Sequence, residues 1–523
     1  MESENDMKTE LKHMPSIDLA STSGITSTDV VNNDIGTTQR GLKARHGQMI
    51  ALGGCVGTGL FISTGATLAL GGPAFILIAF ILMSILVYFI VTAIVEVSAY
   101  LPIKAASMSY YATRNVSKSM GFALGWLYVY SLGILVPYEI TAGALVIDYW
   151  ENPVHVGVWI TIFVVVIIAL NLCPVKYYGE SEFWFASIKV FTLIGLLLLT
   201  FILFWGGGPD QDGILGFHYW KDPGATGTWL VDGASGTFVA FVGTVVLSAF
   251  PFTFAPELLI FTSGEMQNPR KNLPKNANRF IIRLIVFYVG AVFAMGIICP
   301  HTEDALVSGD ASAKSSAFVV GINHARIKGL GSVVNAAILT SAWSAGNAYL
   351  YMSSRALYSL ALSGQAPKIF QKCTKDGVPY FAVMGCSIFA ALAYLNVGQN
   401  SSVVFRCACR AQGKPEMPYH SWTQPYAAWI AMVFFVILTL VNGFNVFFPG
   451  QFSASDFLTA YVGIPAFFAI YFGHKLWKGR SDPWYLSADA IDIQEGLEEL
   501  PDEEEPVGSG EKQNWRKWAK KFT

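Results

Sequence analysis

Apolar residues fall in long stretches along this chain, separated by short polar connectors. A bilayer core about 30 Å thick takes roughly 20 apolar helical residues to cross. Stretches of that kind lie at 48–70, 74–101, 120–147, 154–173, 183–205, 236–262, 280–300, 331–361, 379–396, 425–448 and 455–476. They predict eleven membrane-spanning helices. Buried helices of a soluble core would be neither so many nor so long. The connectors carry Gly, Pro and charge, as at Gly71-Gly72-Pro73 and Pro102. The first 39 residues are rich in Ser, Thr, Asn and Asp and lack the apolar core of a signal peptide. They read as a disordered cytosolic tail. The chain therefore divides into an N-terminal tail (1–41), a transmembrane domain (42–478) and a C-terminal tail (479–523). The C-terminal tail is acidic from Glu495 to Pro506, then basic and aromatic from Trp515 to Phe522.

Composition agrees. Apolar residues make up 53% of the 523 and charged residues 13%, where a soluble domain carries about 25% charged. Such a chain lacks the polar surface to cover itself in water. The net charge of −2 argues against a nucleic-acid partner, which needs a basic face. Cysteines at 55, 173, 299, 373, 386, 407 and 409 frame neither a disulfide scaffold nor a zinc site. No phosphate-binding loop, catalytic triad or metal-ligand cluster stands out, so neither enzyme chemistry nor a cofactor is expected.

Basic residues set the orientation, because they concentrate in cytosolic loops. With the N-terminus cytosolic, the inner segments hold Arg40, Lys43, Arg45, Lys104, Arg114, Lys118 and Lys176. They also hold Arg270, Lys271, Lys275, Arg279, Arg283, Arg355, Lys368, Lys372 and Lys375. The outer loops hold Lys221, Lys314, Arg326 and Lys328. After the ninth span the rule breaks: eleven crossings put Arg406, Arg410, Lys414, Lys475, Lys478 and Arg480 outside. One more crossing between Phe405 and Ala411 would return all of them to the inside.

Two spans carry sequences that a continuous helix tolerates badly. The first holds Gly53-Gly54-Cys55-Val56-Gly57-Thr58-Gly59, and each Gly costs a helix about 1 kcal/mol relative to Ala. Close packing needs small residues only every fourth position, so the denser run favours a helix that unwinds in mid-membrane. Its freed N–H groups and helix end can hold a carboxylate, and its carbonyls an ammonium. The sixth span holds Phe250-Pro251-Phe252-Thr253-Phe254-Ala255-Pro256-Glu257, whose two prolines remove two backbone donors. Breaks in spans one and six suit a five-plus-five inverted repeat with a site at the midplane. Glu139 and Lys189 also fall inside spans. A mid-span Lys costs about 2.5–3.5 kcal/mol to insert, so Lys189 is either paired, wetted or snorkelling. Glu96 and Arg355 lie near inner span ends, where snorkelling or structural pairing is expected. Ser341 to Asn347 give the eighth span a small, polar stripe suited to helix packing.

These residues resemble the yeast amino-acid transporter family of fungal permeases, within the amino acid–polyamine–organocation superfamily. The resemblance runs from about Leu42 to Lys478. It is carried by His46 to Phe61 (HGQMIALGGCVGTGLF), Gly121 to Trp126 (GFALGW), Asn171 with Lys176 to Glu180 (KYYGE), and Glu182 to Val190 (EFWFASIKV). Further markers are Gly264-Glu265 with Asn268 to Asn272 (NPRKN), Leu339 to Asn347 (LTSAWSAGN), Gly364 to Phe370 (GQAPKIF) and Asp456 to Pro465 (DFLTAYVGIP). The resemblance implies an all-α integral membrane fold of twelve helices, the first ten forming the five-plus-five repeat. It also implies proton-coupled amino-acid uptake at the plasma membrane, powered by the proton gradient. The backbone at Gly54, Cys55, Val56, Gly57, Thr58 and Gly59 would hold the substrate's carboxylate and amino groups. Phe252, Thr253, Phe254 and Ala255 would shape the side-chain pocket, and Glu139 would contact substrate. Lys189 would carry the coupled proton in place of a sodium ion. Pro256, Glu257 and Asn347 would serve structure or gating.

The chain departs from the family twice. The usual S-F-x-G-x-E of the sixth helix reads Phe252-Thr253-Phe254-Ala255-Pro256-Glu257 here, closer to the proline-type branch. The family's tenth helix is missing, replaced by Arg406-Cys407-Ala408-Cys409-Arg410 before Ala411-Gln412-Gly413. An omitted exon accounts for this gap, and a genuine eleven-span chain is the alternative. The leading expectation is a proton–amino-acid symporter. The rival is an amino-acid sensor, or a permease inactivated by loss of the helix. Lys8 and Lys12 in the tail are expected ubiquitin sites.

Overall fold

The structure is a computed structural model. It describes Met49 and residues 56–486, less 102–106, 148, 151–152, 155, 210, 212, 254, 267–268, 308–315, 390–420, 422 and 425. Among the described residues every regular element is helical. A π-helical turn at Gly59–Ser63 leads into α1 (Thr64–Tyr100). Then follow α2 (Met108–Asn115), α3 (Lys118–Ile147), α4 (Val156–Leu172) and α5 (Val175–Phe204). α6 (Gly233–Ser248), a 3₁₀ turn at Phe250–Phe252 and α7 (Ala255–Glu265) precede α8 (Pro269–Ile298). α9 (Ala317–His324), α10 (Leu330–Leu362), α11 (Tyr380–Phe389), α12 (Tyr426–Val441), α13 (Ala454–Tyr461) and α14 (Gly463–Trp477) complete the chain.

The predicted first and second spans join through α1, which turns at Gly72 (φ 74°, ψ 173°). That left-handed backbone favours glycine, and the next residue, Pro73, can donate no hydrogen bond. The loop at 225–227 clasps the turn: Ala74 N donates to Ala225 O at 2.9 Å and Gly227 N to Gly71 O at 3.0 Å. Among the described residues, five helical runs are long and apolar enough to cross a membrane: Gly59–Tyr100, Lys118–Ala144, Val175–Phe204, Gly233–Phe252 and Pro269–Ile298. α10 is longer than most at 33 residues, but it spends its polar Ser and Asn side chains on buried contacts.

Helix α5 shows which solvent the fold expects. It exposes Trp184, Ile188, Phe191, Leu198 and Phe201 while burying Glu182, Lys189 and Thr200. Apolar out and polar in reverses a water-soluble helix and fits one bathed in lipid. The most extensive packing joins α3 to α10 and α1 to α8. In the numbering of predicted spans these are the third with the eighth and the second with the seventh. Pairing of spans five apart is the layout of a five-plus-five repeat.

The last helices have a definite place. Ser421 N donates to the Glu96 carboxylate, and Gln424 Nε2 donates to Phe89 O at 2.7 Å and Thr92 Oγ1 at 3.0 Å. α12 therefore starts beside the C-terminal part of α1. Phe444, beyond its far end, meets Trp229 with ring centres 5.7 Å apart. α14 returns: His474 stacks on Phe122 at 4.4 Å and its Nδ1 lies 3.0 Å from Ser119 Oγ. Leu486 N donates to Val116 O at 2.9 Å, and Lys118 lies 4.0 Å from Asp482. The end of α14 and residues 479–486 thus share the end of the bundle where α3 begins. Eleven simple crossings predict the opposite end. Residues 405–411, the junction in question, lie outside the described residues.

Candidate functional site

Where the first span breaks, its backbone is received by neighbouring helices. Val56 and Gly57 are non-helical and buried. Ser341 Oγ on α10 donates to Val56 O at 2.8 Å, filling a carbonyl that the lost helix leaves open. Thr58 Oγ1 donates to Glu139 Oε2 on α3 at 2.9 Å. Gly57 lies so close that an added β-carbon would stand 2.8 Å from Glu139 Oε1 and 3.1 Å from the Ala345 β-carbon. An added carbon would push the Glu139 carboxylate from its place and crowd Ala345. Glu139 itself is 3% exposed.

The second break faces the first. A β-carbon at Gly59 would meet the Phe250 ring and Pro251 Cα at 3.4 Å, ordinary contact. Thr253 is extended (φ −61°, ψ 133°) between the 3₁₀ turn and α7. Tyr288 OH on α8 donates to Pro251 O at 2.9 Å, holding the broken backbone. Phe252 is buried against Tyr288 (4.7 Å between ring centres) and Phe80 (5.4 Å). Tyr138 stands edge-on to Phe250 at 5.5 Å and remains 39% exposed.

A cluster of charge lies behind Glu139. Lys189 is 2% exposed, so it does not snorkel, and it acts electrostatically on both Glu139 and Glu182. Glu182 is completely buried. It accepts from the Ser344 hydroxyl and from Asn347 Nδ2 at 3.5 Å. Asn171 Nδ2 of α4 in turn donates to Asn347 Oδ1 at 2.8 Å. Asn347, expected in a structural role, is thus the bridge between α4, α5 and α10. Glu182 is the site residue that sequence reasoning overlooked. Its signal was present: it precedes Lys189 by seven residues, two helical turns on one face.

The remaining expected residues separate from this group. Glu257 is buried and accepts from Tyr128 OH at 3.3 Å. Tyr128 and Glu139 are eleven residues apart on α3, about 16 Å along the helix, so Glu257 serves a different locus. Pro256 is buried in the first turn of α7. Glu96 and Arg355 are buried rather than snorkelling: Glu96 anchors Ser421, and Arg355 lies 4.1 Å over the Tyr351 ring. Gly54, Cys55 and Phe254 lie outside the described residues, as does the side chain of Ala255. No group of three potential metal ligands occurs among the described residues.

Two broken spans facing each other in a lipid-bathed helical bundle, with buried charge behind them, define a membrane carrier. The chain belongs to the amino acid permease family, whose model matches residues 46–411 and 397–487. The two matched stretches overlap at 397–411, which contains the junction where the sequence reads as lacking the family's tenth helix. The chain is 43% identical over 493 positions to the proline-specific permease of Emericella nidulans, covering 88% of this chain and 89% of that protein. It is 41% identical to the proline-specific permease of Saccharomyces cerevisiae, covering 90% of this chain and 80% of that one. The dicarboxylic amino acid permease of the same yeast is 40% identical, with 84% and 77% covered. These relatives are permeases, which are transporters rather than enzymes.

Proposed function

We propose that this chain takes up an amino acid together with a proton, by alternating access, across the plasma membrane. The observation that carries this reading is the Thr58–Glu139 hydrogen bond at the broken first span, with Lys189 in electrostatic reach behind it. Glu139 can meet a substrate ammonium from one side while Lys189 holds it from the other. The N–H groups freed around Gly57 to Gly59 suit the substrate carboxylate, and no cofactor is required. Proline is the first substrate to test, since two relatives at 41–43% identity are proline-specific permeases. The basic end of the bundle, with Arg114 and Lys118, faces the cytosol in this reading, as does the N-terminal tail. Lys8 and Lys12 serve as ubiquitin acceptors for endocytosis, and their arginine variants would stay at the surface under nitrogen excess.

The test is radiolabelled proline uptake in yeast lacking its own permeases. Uptake should rise as external pH falls, stop with an uncoupler, and drop sharply in Lys189→Ala. Uptake indifferent to both uncoupler and Lys189→Ala would sink the coupling.

A further inference from the structure

Glu182 has a position that the reading above does not use. It lies two helical turns before Lys189 on the buried face of α5, a rise of about 10.5 Å. Both residues lie on that face, and Lys189 acts electrostatically on Glu182. α10 faces the carboxylate with Ser344 and Asn347, both neutral, and α4 supports it through Asn171. The charges of α8, Arg270, Lys271, Lys275, Arg279 and Arg283, are exposed or half-exposed. Charge around Glu182 thus comes from Lys189, whose other carboxylate is Glu139 on α3.

Count the charge of this cluster. With both carboxylates ionised and Lys189 protonated, the cluster would hold one net negative charge inside a lipid-bathed bundle, where an unbalanced charge is costly. A substrate ammonium at Glu139 balances it locally. The proton on Lys189 then needs a route out.

We propose that Glu182 is the inner proton station of the carrier, taking the coupled proton from Lys189 and passing it toward the end of the bundle where α5 begins. This rests on the proton-coupled reading above. In the transfer, one N–H bond of the Lys189 ammonium breaks and an O–H bond of Glu182 forms. The products are a neutral amine and a neutral acid, so the charge of the cluster is unchanged and Glu139 stays ionised for substrate. Opening toward that end lets the Glu182 proton leave to water.

The test uses the full-length protein and labelled proline, comparing accumulation driven by a pH gradient with exchange of internal for external proline. Exchange returns the loaded carrier and needs no proton release. Glu182→Gln keeps hydrogen bonds to Ser344 and Asn347 but cannot take a proton. The ratio of accumulation to exchange should fall by roughly a hundredfold, the scale of a lost acid–base group, and the pH profile of accumulation should flatten. Glu182→Asp should restore pH dependence. A ratio and profile equal to those of a wild type that remains uncoupler-sensitive would overturn the proposal. A wild type insensitive to uncoupler would instead refute the coupling itself. Should Glu182→Gln lose exchange as well, Ser344→Ala decides. A moved pH profile with exchange intact supports the station, and an unmoved one overturns it.

Discussion

Around Glu139 the margins are a few tenths of an ångström, and they separate residues that look alike in sequence. Gly57 and Gly59 both belong to the glycine-rich run. A methyl group at Gly57 would press on Glu139 Oε1 at 2.8 Å, whereas one at Gly59 finds ordinary contact at 3.4 Å. Gly57→Ala should therefore abolish measurable uptake, at an overpacking cost of about 1–3 kcal/mol. Gly59→Ala should keep uptake within a few-fold of wild type, measured at equal surface expression. Thr58→Val removes a hydrogen bond to an ionisable partner, about 1.5–3 kcal/mol, and should appear chiefly as a raised KM for proline. Sequence pointed to Glu139 and Lys189 because ionisable groups in an apolar span need a reason, and to Thr58 only as part of the glycine-rich run. It missed Glu182 because that residue falls just before the predicted span 183–205, where a carboxylate reads as near the surface. Only the packing of α10 over α5, with Ser344 and Asn347 facing inward, makes that position an interior one.

At the scale of elements, the breaks were legible and the joins were not. Pro251 removes a backbone donor and the crowded glycines weaken the helix locally, so no tertiary information is needed to see them. The joining of the first two spans depends on the loop at 225–227, about 150 residues away in sequence, and no local pattern announces it. Gly72 is where this matters. Its φ of 74° is unfavourable for other residues, and a β-carbon there would also lie 2.8 Å from Ala225 O. Gly72→Ala should lower the thermal midpoint of the solubilised protein by several degrees. The corresponding Gly195→Ala, with nothing within 4 Å of the added carbon, should not lower it. Tyr288→Phe should act on the other break: it strips the donor from a buried carbonyl, Pro251 O, at about 1–3 kcal/mol. Uptake and thermal stability should fall together in that variant, since Phe252 also packs on the Tyr288 ring.

At the scale of the whole molecule, the open matter is where the chain ends relative to the membrane. Eleven crossings in simple alternation would carry Lys475, Lys478 and Arg480 to the face opposite Arg114 and Lys118, against the charge rule. The packing places them together instead. His474 on Phe122, Lys118 beside Asp482 and the Leu486–Val116 hydrogen bond all gather at one end of the bundle. Trp229 against Phe444 fixes the opposite end of α12. Single cysteines near Lys118, near Lys221 and near Tyr485 can therefore be assigned to two faces with an impermeant thiol reagent, in a background with the native cysteines replaced. Those near Lys118 and Tyr485 should label only after permeabilisation, and the one near Lys221 in intact cells. Labelling near Tyr485 in intact cells would mean that the eleven-crossing alternation holds in the membrane. The cluster of basic residues would then face outward, and the contacts between α14 and α3 could not form. Those contacts hold the last described helix against the α3 that carries Glu139, so the side of the tail and the integrity of the site are one question.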